Sequence, residues 1–292
     1  MSGSNGFIAS SFYQKFADKY NFIFLSHKLK NNHITLEQLA NMPDLINSID
    51  VIINLAGANI AEKRWTDNRK EILLLSRINT TRKLVMIFNQ HNAKAHFISA
   101  SAIGIYNTDV QNDDNTIIDY QNYSNFSQQL TKQWEMSASH YNGDLTITRF
   151  GVVLSNKNGA FPKMLKPFLF GMGGKLGNGS QYFPWISITD LLNALNWIIE
   201  SRATGIYNLV APQQITNSEL SRQIAKIWHR PNWFHLPKYI IRIIFGQMGQ
   251  ELFLNSIFVK PTKLIENNFK FSYPTIDSFL NAIKKLDCTK IL

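Results

Sequence analysis

Ile52-Ile53-Asn54-Leu55-Ala56-Gly57-Ala58 is a β-branched, apolar run that ends in small residues. That is the form of a buried strand whose carboxyl edge must leave room for a ligand such as an adenosine or a ribose. Fifty residues earlier stands Gly3-Ser4-Asn5-Gly6-Phe7-Ile8-Ala9, of the form G-x-x-G-x-x-A, leading directly into an amphipathic helix. Small residues there let backbone amides approach a pyrophosphate held at the positive end of the helix. A Gly-Ser-Asn cluster is also what a flexible tail looks like, and it is the conjunction with the strand end that favours the phosphate reading.

Outward from these two segments the chain alternates. Strand candidates run from Asn21 to Ser26, Asp50 to Ala56, Lys94 to Ala100, Asp144 to Phe150 and Gly205 to Val210, each short, apolar and rich in β-branched or aromatic residues. Helical patterns lie between them, from Gly6 to Lys19, Thr66 to Gln90, Ser124 to Tyr141, Ile188 to Ser201 and Asn217 to Trp228. Alternation of this kind predicts an α/β fold, a Rossmann-type doubly wound parallel sheet. From Pro231 the texture changes to short helical pieces broken by Pro237, Gly246, Gly249, Pro261 and Pro274. The expected organisation is a dinucleotide-binding domain over 1–230, with a cap insertion over about 156–184, and a small, mostly helical C-terminal cap over 231–292. The helix Lys238 to Phe245 is apolar enough for a membrane surface, but an ordinary core-facing helix is the favoured reading.

Composition narrows the function classes. The chain has 292 residues, 45% hydrophobic, enough for a large core. Cys288 is the single cysteine, which excludes an intramolecular disulfide and a thiolate metal site. The seven histidines show no ligand spacing, so no metal is expected. There is no Gly-x-Ser-x-Gly elbow for serine hydrolysis. The net charge of +10 is scattered rather than gathered with aromatics, so nucleic acid is not an expected partner. No apolar run approaches membrane-spanning length and no secretory leader is visible. A cytoplasmic monomer or homodimer acting on a small-molecule substrate is expected.

A fingerprint of the Gly3–Gly6 kind ordinarily follows a strand, and here only Met1 and Ser2 precede it. The first, central strand of the fold is therefore expected to be missing. A late start codon is the favoured explanation, over a truncated product or a sheet that closes by other means. The second strand ends Phe24-Leu25-Ser26-His27-Lys28 without the acid that holds an NAD ribose. His27, Lys28 and Lys30 can instead face a 2′-phosphate, which favours NADP(H) over NAD(H); as an alternative the lysines are solvated loop charges.

Further motifs resemble a known family. These are Asn54-Leu55-Ala56-Gly57, Lys63-Arg64-Trp65-Thr66 and Ser76-Arg77 with Thr80-Thr81, then Ser99-Ala100-Ser101-Ala102-Ile103-Gly104-Ile105-Tyr106. Others are Arg149-Phe150-Gly151-Val152-Val153-Leu154, Gly171-Met172-Gly173-Gly174, Trp185-Ile186-Ser187-Ile188-Thr189-Asp190 and Lys260-Pro261-Thr262-Lys263-Leu264. Together they resemble the atypical, NAD-dependent epimerase-like branch of the extended short-chain dehydrogenases/reductases, with a C-terminal domain of the DUF1731 type. The resemblance implies a Rossmann fold, a nicotinamide cofactor and a ligand cleft, but no particular substrate.

Ordinary members of that superfamily pair a tyrosine with a lysine four residues on. No Tyr-x-x-x-Lys occurs here; Ser127 and Thr131 stand at the corresponding positions. Ser101, closing its strand with Ser99 on the same face, is the candidate for polarising a carbonyl. Tyr106 is the candidate acid, against the alternative of a loop tyrosine that packs its ring. Lys63, Arg64 and Trp65 are candidates for holding an anionic or planar substrate, or else solvated residues. Arg77 sits in a helix whose Ile72, Leu73, Leu75, Ile78, Leu84 and Val85 are expected to pack inward, which gives it a structural or phosphate-directed role. Gly171–Gly179 reads either as a nucleotide-sugar segment or as a hinge. The leading function is an NADP(H)-binding oxidoreductase or epimerase-like enzyme, and the alternative is a non-catalytic NADP(H) sensor.

Overall fold

The computed structural model of the chain describes residues 1–26, 33–91 and 94–288. They divide into two compact units, each assembled from separated stretches: Met1–Ile105, Ile118–Arg149 and Leu192–Tyr207 in the first, Tyr106–Ile117, Phe150–Leu191 and Asn208–Leu292 in the second.

The α/β architecture is the expected one. A four-stranded sheet runs in the order Val51–Asn54, His96–Ala102, Leu145–Phe150, Gly205–Leu209, and the first two strands are parallel with Asn54 beside Ser99. All seven residues of His96–Ala102 but the last are buried, as a central parallel strand covered on both faces requires. A second, two-stranded parallel piece pairs Phe24–Leu25 with His33–Ile34. Met1 and Ser2 lie between Phe24–Leu25 and Val51–Asn54. The Leu25 amide donates to Met1 O at 2.9 Å, the Ser2 amide donates to Ile53 O at 2.9 Å, and Ser2 bridges Asn54 in the parallel sense.

The 24-residue helix Asp67–Gln90 begins at Thr66, whose hydroxyl accepts from the Arg69 amide at 3.2 Å. Its buried face is Leu73, Arg77, Ile78, Thr80, Thr81, Leu84, Val85, Ile87 and Phe88. Ile72 and Leu75, expected inside, are instead 44% and 42% exposed. At 100° per residue they lie on the face opposite the stripe that runs through Leu73, Arg77 and Thr81, so the helix turns a polar-centred face inward. Leu84, Val85 and Phe88 join Leu25, Leu39, Ile52 and Phe97 in the core of this unit.

The second unit has its own core, in which Leu154, Phe161, Trp185, Leu220 and Trp228 meet Ile276, Phe279 and Leu280. A short parallel pair, Val152–Leu154 with Trp185–Ser187, supports it. The helix Lys238–Phe245 turns Ile241 inward, fully buried, while Tyr239, Ile243 and Ile244 are exposed. No helix among the described residues is long and apolar enough to cross a membrane.

Candidate functional site

The glycine loop is shaped by contact with the strand end that follows it in the fold. Gly3 has φ +68°, and a Cβ there would come within 2.5 Å of Leu55 O, so only glycine fits. The Gly6 amide donates to Gly3 O at 2.8 Å, and Ser4 Oγ donates to Leu25 O at 3.2 Å. Gly6 is the N-cap of the helix Phe7–Phe16, and no side chain caps it. The first-turn amides at Phe7 and Ile8 are thus left to a ligand or to water, and Asn5 is exposed at the loop's tip. These residues fit a dinucleotide pyrophosphate.

Asn54 sits where expected but spends its side chain on the protein. Its Oδ1 accepts from Ser2 Oγ at 2.6 Å and its Nδ2 donates to Thr81 Oγ1 at 2.8 Å, and the Trp134 indole donates to the same Thr81 oxygen at 3.1 Å. Leu55 is half-buried and Ala56 buried, so the small-residue end is a packed edge with Gly57 exposed. Arg77 lies beneath Gly57. A Cβ on Gly57 would meet the guanidinium carbon at 2.9 Å, so the smallness of that position is required by the arginine. Arg77 donates to Leu73 O at 2.9 Å and Ala58 O at 3.0 Å and stacks over Trp134, while its Nε is buried without a partner. Burial, and then the like charge of Arg69, lower its pKa to about 10.

Ser101 belongs to a buried polar quartet. Its Oγ donates to Glu135 Oε1 at 2.6 Å. Glu135 is also gripped by Arg149 through Nε–Oε1 and Nη2–Oε2 contacts of 2.8 Å each, and Tyr120 donates to its Oε2 at 2.6 Å. The Glu135 and Arg149 side chains are 1% and 0% exposed. Burial, reinforced by the Glu135 charge, pushes the Tyr120 phenol well above its ordinary value. Ser99, one register step back, is buried and its carbonyl accepts from Thr148. Thr131 donates to Ser127 O at 2.7 Å, a bond internal to its helix. Glu135 and Tyr120 were not singled out from the sequence, and Arg149 only as part of a motif; the available signal was the lone charge inside the strand Leu145–Phe150, which burial obliges to have an anionic partner.

In the second unit, Tyr106 is 1% exposed and its hydroxyl is held between Asp113 O at 2.8 Å and Asn208 Oδ1 at 2.7 Å. Asn208 is in turn fixed by its amide on Asp114 and by Lys260 O. Trp65 is buried, its indole donating to Ile60 O at 2.9 Å and its ring edge-on to Phe126; Lys63 and Arg64 are exposed. In the second glycine segment Gly174 is required by close packing, because a Cβ there would lie 1.4 Å from Phe234 O. His27, Lys28 and Lys30 lie outside the described residues. Among the described residues no group of His, Cys, Asp and Glu could hold a metal ion.

The model of the NAD dependent epimerase/dehydratase family matches residues 1–209. The chain belongs to that family. A domain of unknown function, DUF1731, matches residues 236–283 of this epimerase-family chain, so the resemblance carried by the motifs is borne out. The epimerase family protein SSP1921 of Staphylococcus saprophyticus is 36% identical over 249 residues, 81% of this chain and 80% of that protein. Among solved structures, the human epimerase family protein SDR39U1 (isoform 2), determined with NADPH, is 28% identical with a TM-score of 0.88, covering 97% of this chain and 98% of its own. The UDP-glucose 4-epimerase of Thermotoga maritima, determined with UDP-glucose, has a TM-score of 0.74 at 16% identity over 100% of this chain and 98% of its own, a likeness of fold alone.

Proposed function

We propose that this epimerase-family chain binds NADP(H) and reports on it, rather than turning over a carbonyl substrate through Ser101 and Tyr106. The observation that carries the reading is the 2.6 Å bond from Ser101 to Glu135. A hydroxyl committed to a buried carboxylate must break a charge-assisted bond before it can donate to a carbonyl. Tyr106, the candidate acid, is held by two neutral oxygens of its own unit, Asp113 O and Asn208 Oδ1.

The cofactor part rests on the uncapped helix behind Gly3-Ser4-Asn5-Gly6, on the packed Asn54–Gly57 edge, and on the NADPH of the human relative. The loop amides, with Phe7 and Ile8, hold the pyrophosphate. The phosphate preference belongs to His27 and Lys28. When bound, the nicotinamide supplies or accepts a hydride.

A second reading, an oxidoreductase or epimerase acting on a small polar substrate with Lys63, Arg64 or Trp65 at its edge, is favoured by family membership itself. Titration with NADPH and NADH by fluorescence, followed by a panel of carbonyl compounds and nucleotide sugars, separates the two. Tighter NADPH than NADH binding, no turnover, and a Ser101→Ala variant that is less stable but binds NADPH unchanged are expected. Turnover abolished by Ser101→Ala establishes the second reading, and equal affinity for NADH overturns the preference.

A further inference from the structure

The helix Lys238–Phe245 is apolar on the side that faces solvent. With Ile241 fully buried, a turn of 100° per residue puts Tyr239 and Ile243 on the opposite face, where they are 62% and 71% exposed. A surface helix ordinarily carries its polar residues there. Here the exposed Lys238 and Arg242 flank that apolar line on one side and Ile244 on the other. Arg242 donates from Nε to the neutral Gln250 Oε1 at 2.8 Å.

The helix leads directly out of a second exposed apolar stretch. The Phe234 amide donates to Gly173 O at 3.2 Å, the Leu236 amide to Lys175 O at 3.1 Å and the Gly177 amide to Leu236 O at 2.9 Å. The chain over 170–177 therefore runs alongside 231–236, and Pro237 then caps the helix. Phe170 and Trp233, on these two segments, are each 68% exposed, and Met172 is exposed beside them in sequence.

The charge around this surface has one sign. Residues 150–189 and 220–250 hold nine lysines and arginines and no aspartate or glutamate. Lys163, Lys166, Lys226 and Arg230 are exposed with Lys238 and Arg242, and none of the nine enters an ion pair among the described residues. Two copies meeting here would bring like charges together, which opposes association. Lysine is also depleted where proteins bind one another. A bilayer of anionic lipid suits both features, because its headgroup boundary takes Trp, Tyr and aliphatic side chains while its phosphates attract Lys and Arg beside them. Eight residues at 1.5 Å each make a helix of about 12 Å, long enough to lie in that boundary and too short to span it.

We propose that this face of the second unit docks on anionic lipid bilayers, with Trp233, Tyr239 and Ile243 entering the headgroup boundary and Arg230, Lys238 and Arg242 meeting lipid phosphates. It is independent of the nucleotide reading, whose glycine loop belongs to the first unit.

The full chain is sedimented with vesicles of equimolar phosphatidylglycerol and phosphatidylcholine, and with vesicles of phosphatidylcholine alone. The anionic vesicles are expected to bind it at least roughly 10-fold more tightly, an advantage lost as salt rises from about 0.1 to about 0.5 M. Arg230→Gln/Lys238→Gln should weaken binding about 30-fold, at roughly 5-fold for each cation. Arg82→Gln/Lys94→Gln removes the same charge from exposed positions of the first unit and should change binding by less than about 2-fold. Tyr239→Ser/Ile243→Ser should keep its Tm and bind roughly 10-fold more weakly or worse. Brominated lipid should quench tryptophan emission, and Trp233→Phe should remove most of the quenching. Absence of binding to the anionic vesicles overturns the proposal, as does an equal loss in the two charge variants or a folded serine variant that binds like the parent. If the serine variant unfolds, the quenching decides, and quenching that survives Trp233→Phe overturns this face as the docking surface. A dimer in light scattering that the serine variant separates and anionic vesicles do not assigns the face to a second copy instead.

Discussion

Glu135→Leu removes the carboxylate that accepts two bonds from Arg149 and one each from Ser101 and Tyr120. The guanidinium left behind is 0% exposed. Breaking such a pair from one side costs about 3–5 kcal/mol, because an uncompensated charge stays buried. Two hydroxyls also lose their acceptor, at about 1 kcal/mol each or less, since members of one network do not add. A total near 4–6 kcal/mol is a large fraction of the roughly 5–15 kcal/mol that holds a protein folded. Urea unfolding followed by tryptophan fluorescence measures it, with Glu135→Leu/Arg149→Met as the control. Removing both charges leaves apolar chains of similar volume, and the double variant should return to within about 2 kcal/mol of the parent. A single variant costing under about 1 kcal/mol, or a double variant no more stable than the single, refutes the claim that the pair is mutually dependent.

Burial lowers the His96 pKa below its ordinary 6.5. The unfolded chain then takes up its proton at higher pH than the folded protein, so this contribution is intact above pH 6.5 and is lost as pH falls through the lowered value. His96→Gln should flatten the acid side of the stability profile, and an unchanged slope would assign it to another group. Gly3→Ala forces a side chain into a positive-φ position against Leu55 O; a loss of about 1–3 kcal/mol and weaker NADPH binding are expected in unfolding and fluorescence titrations. Gly174→Ala meets Phe234 backbone rather than a movable side chain, and should cost about 3 kcal/mol or more, read by the same unfolding assay.

The strands Val51–Asn54, His96–Ala102 and Leu145–Phe150 were legible because each is a short stretch rich in β-branched or aromatic residues between longer helical patterns. The helix Phe161–Leu169 was not, because Pro162 and Pro167 break the pattern that marks a helix, and the Val152–Leu154 with Trp185–Ser187 pairing depends on partners thirty residues apart. Within the site, Asn54 and Ser101 were found as positions, but their contacts were not. Ser2 and Thr81 on one side, Glu135 on the other, reach them across the fold, and sequence spacing holds no record of that approach. Trp65 and Tyr106 show the same limit: an aromatic with a polar tip reads equally well as a ligand contact or as a core residue with one hydrogen bond.

The Asp190 carboxylate accepts from Ser187 Oγ and from the amides of Ser272 and Tyr273, and Ile276, Phe279 and Leu280 complete the same core. On the ribosome, that carboxylate emerges some eighty residues before its amide partners. The second unit cannot close during synthesis until Leu280 has left the exit tunnel, so Trp185 and Leu220 wait exposed while a chaperone can still reach them.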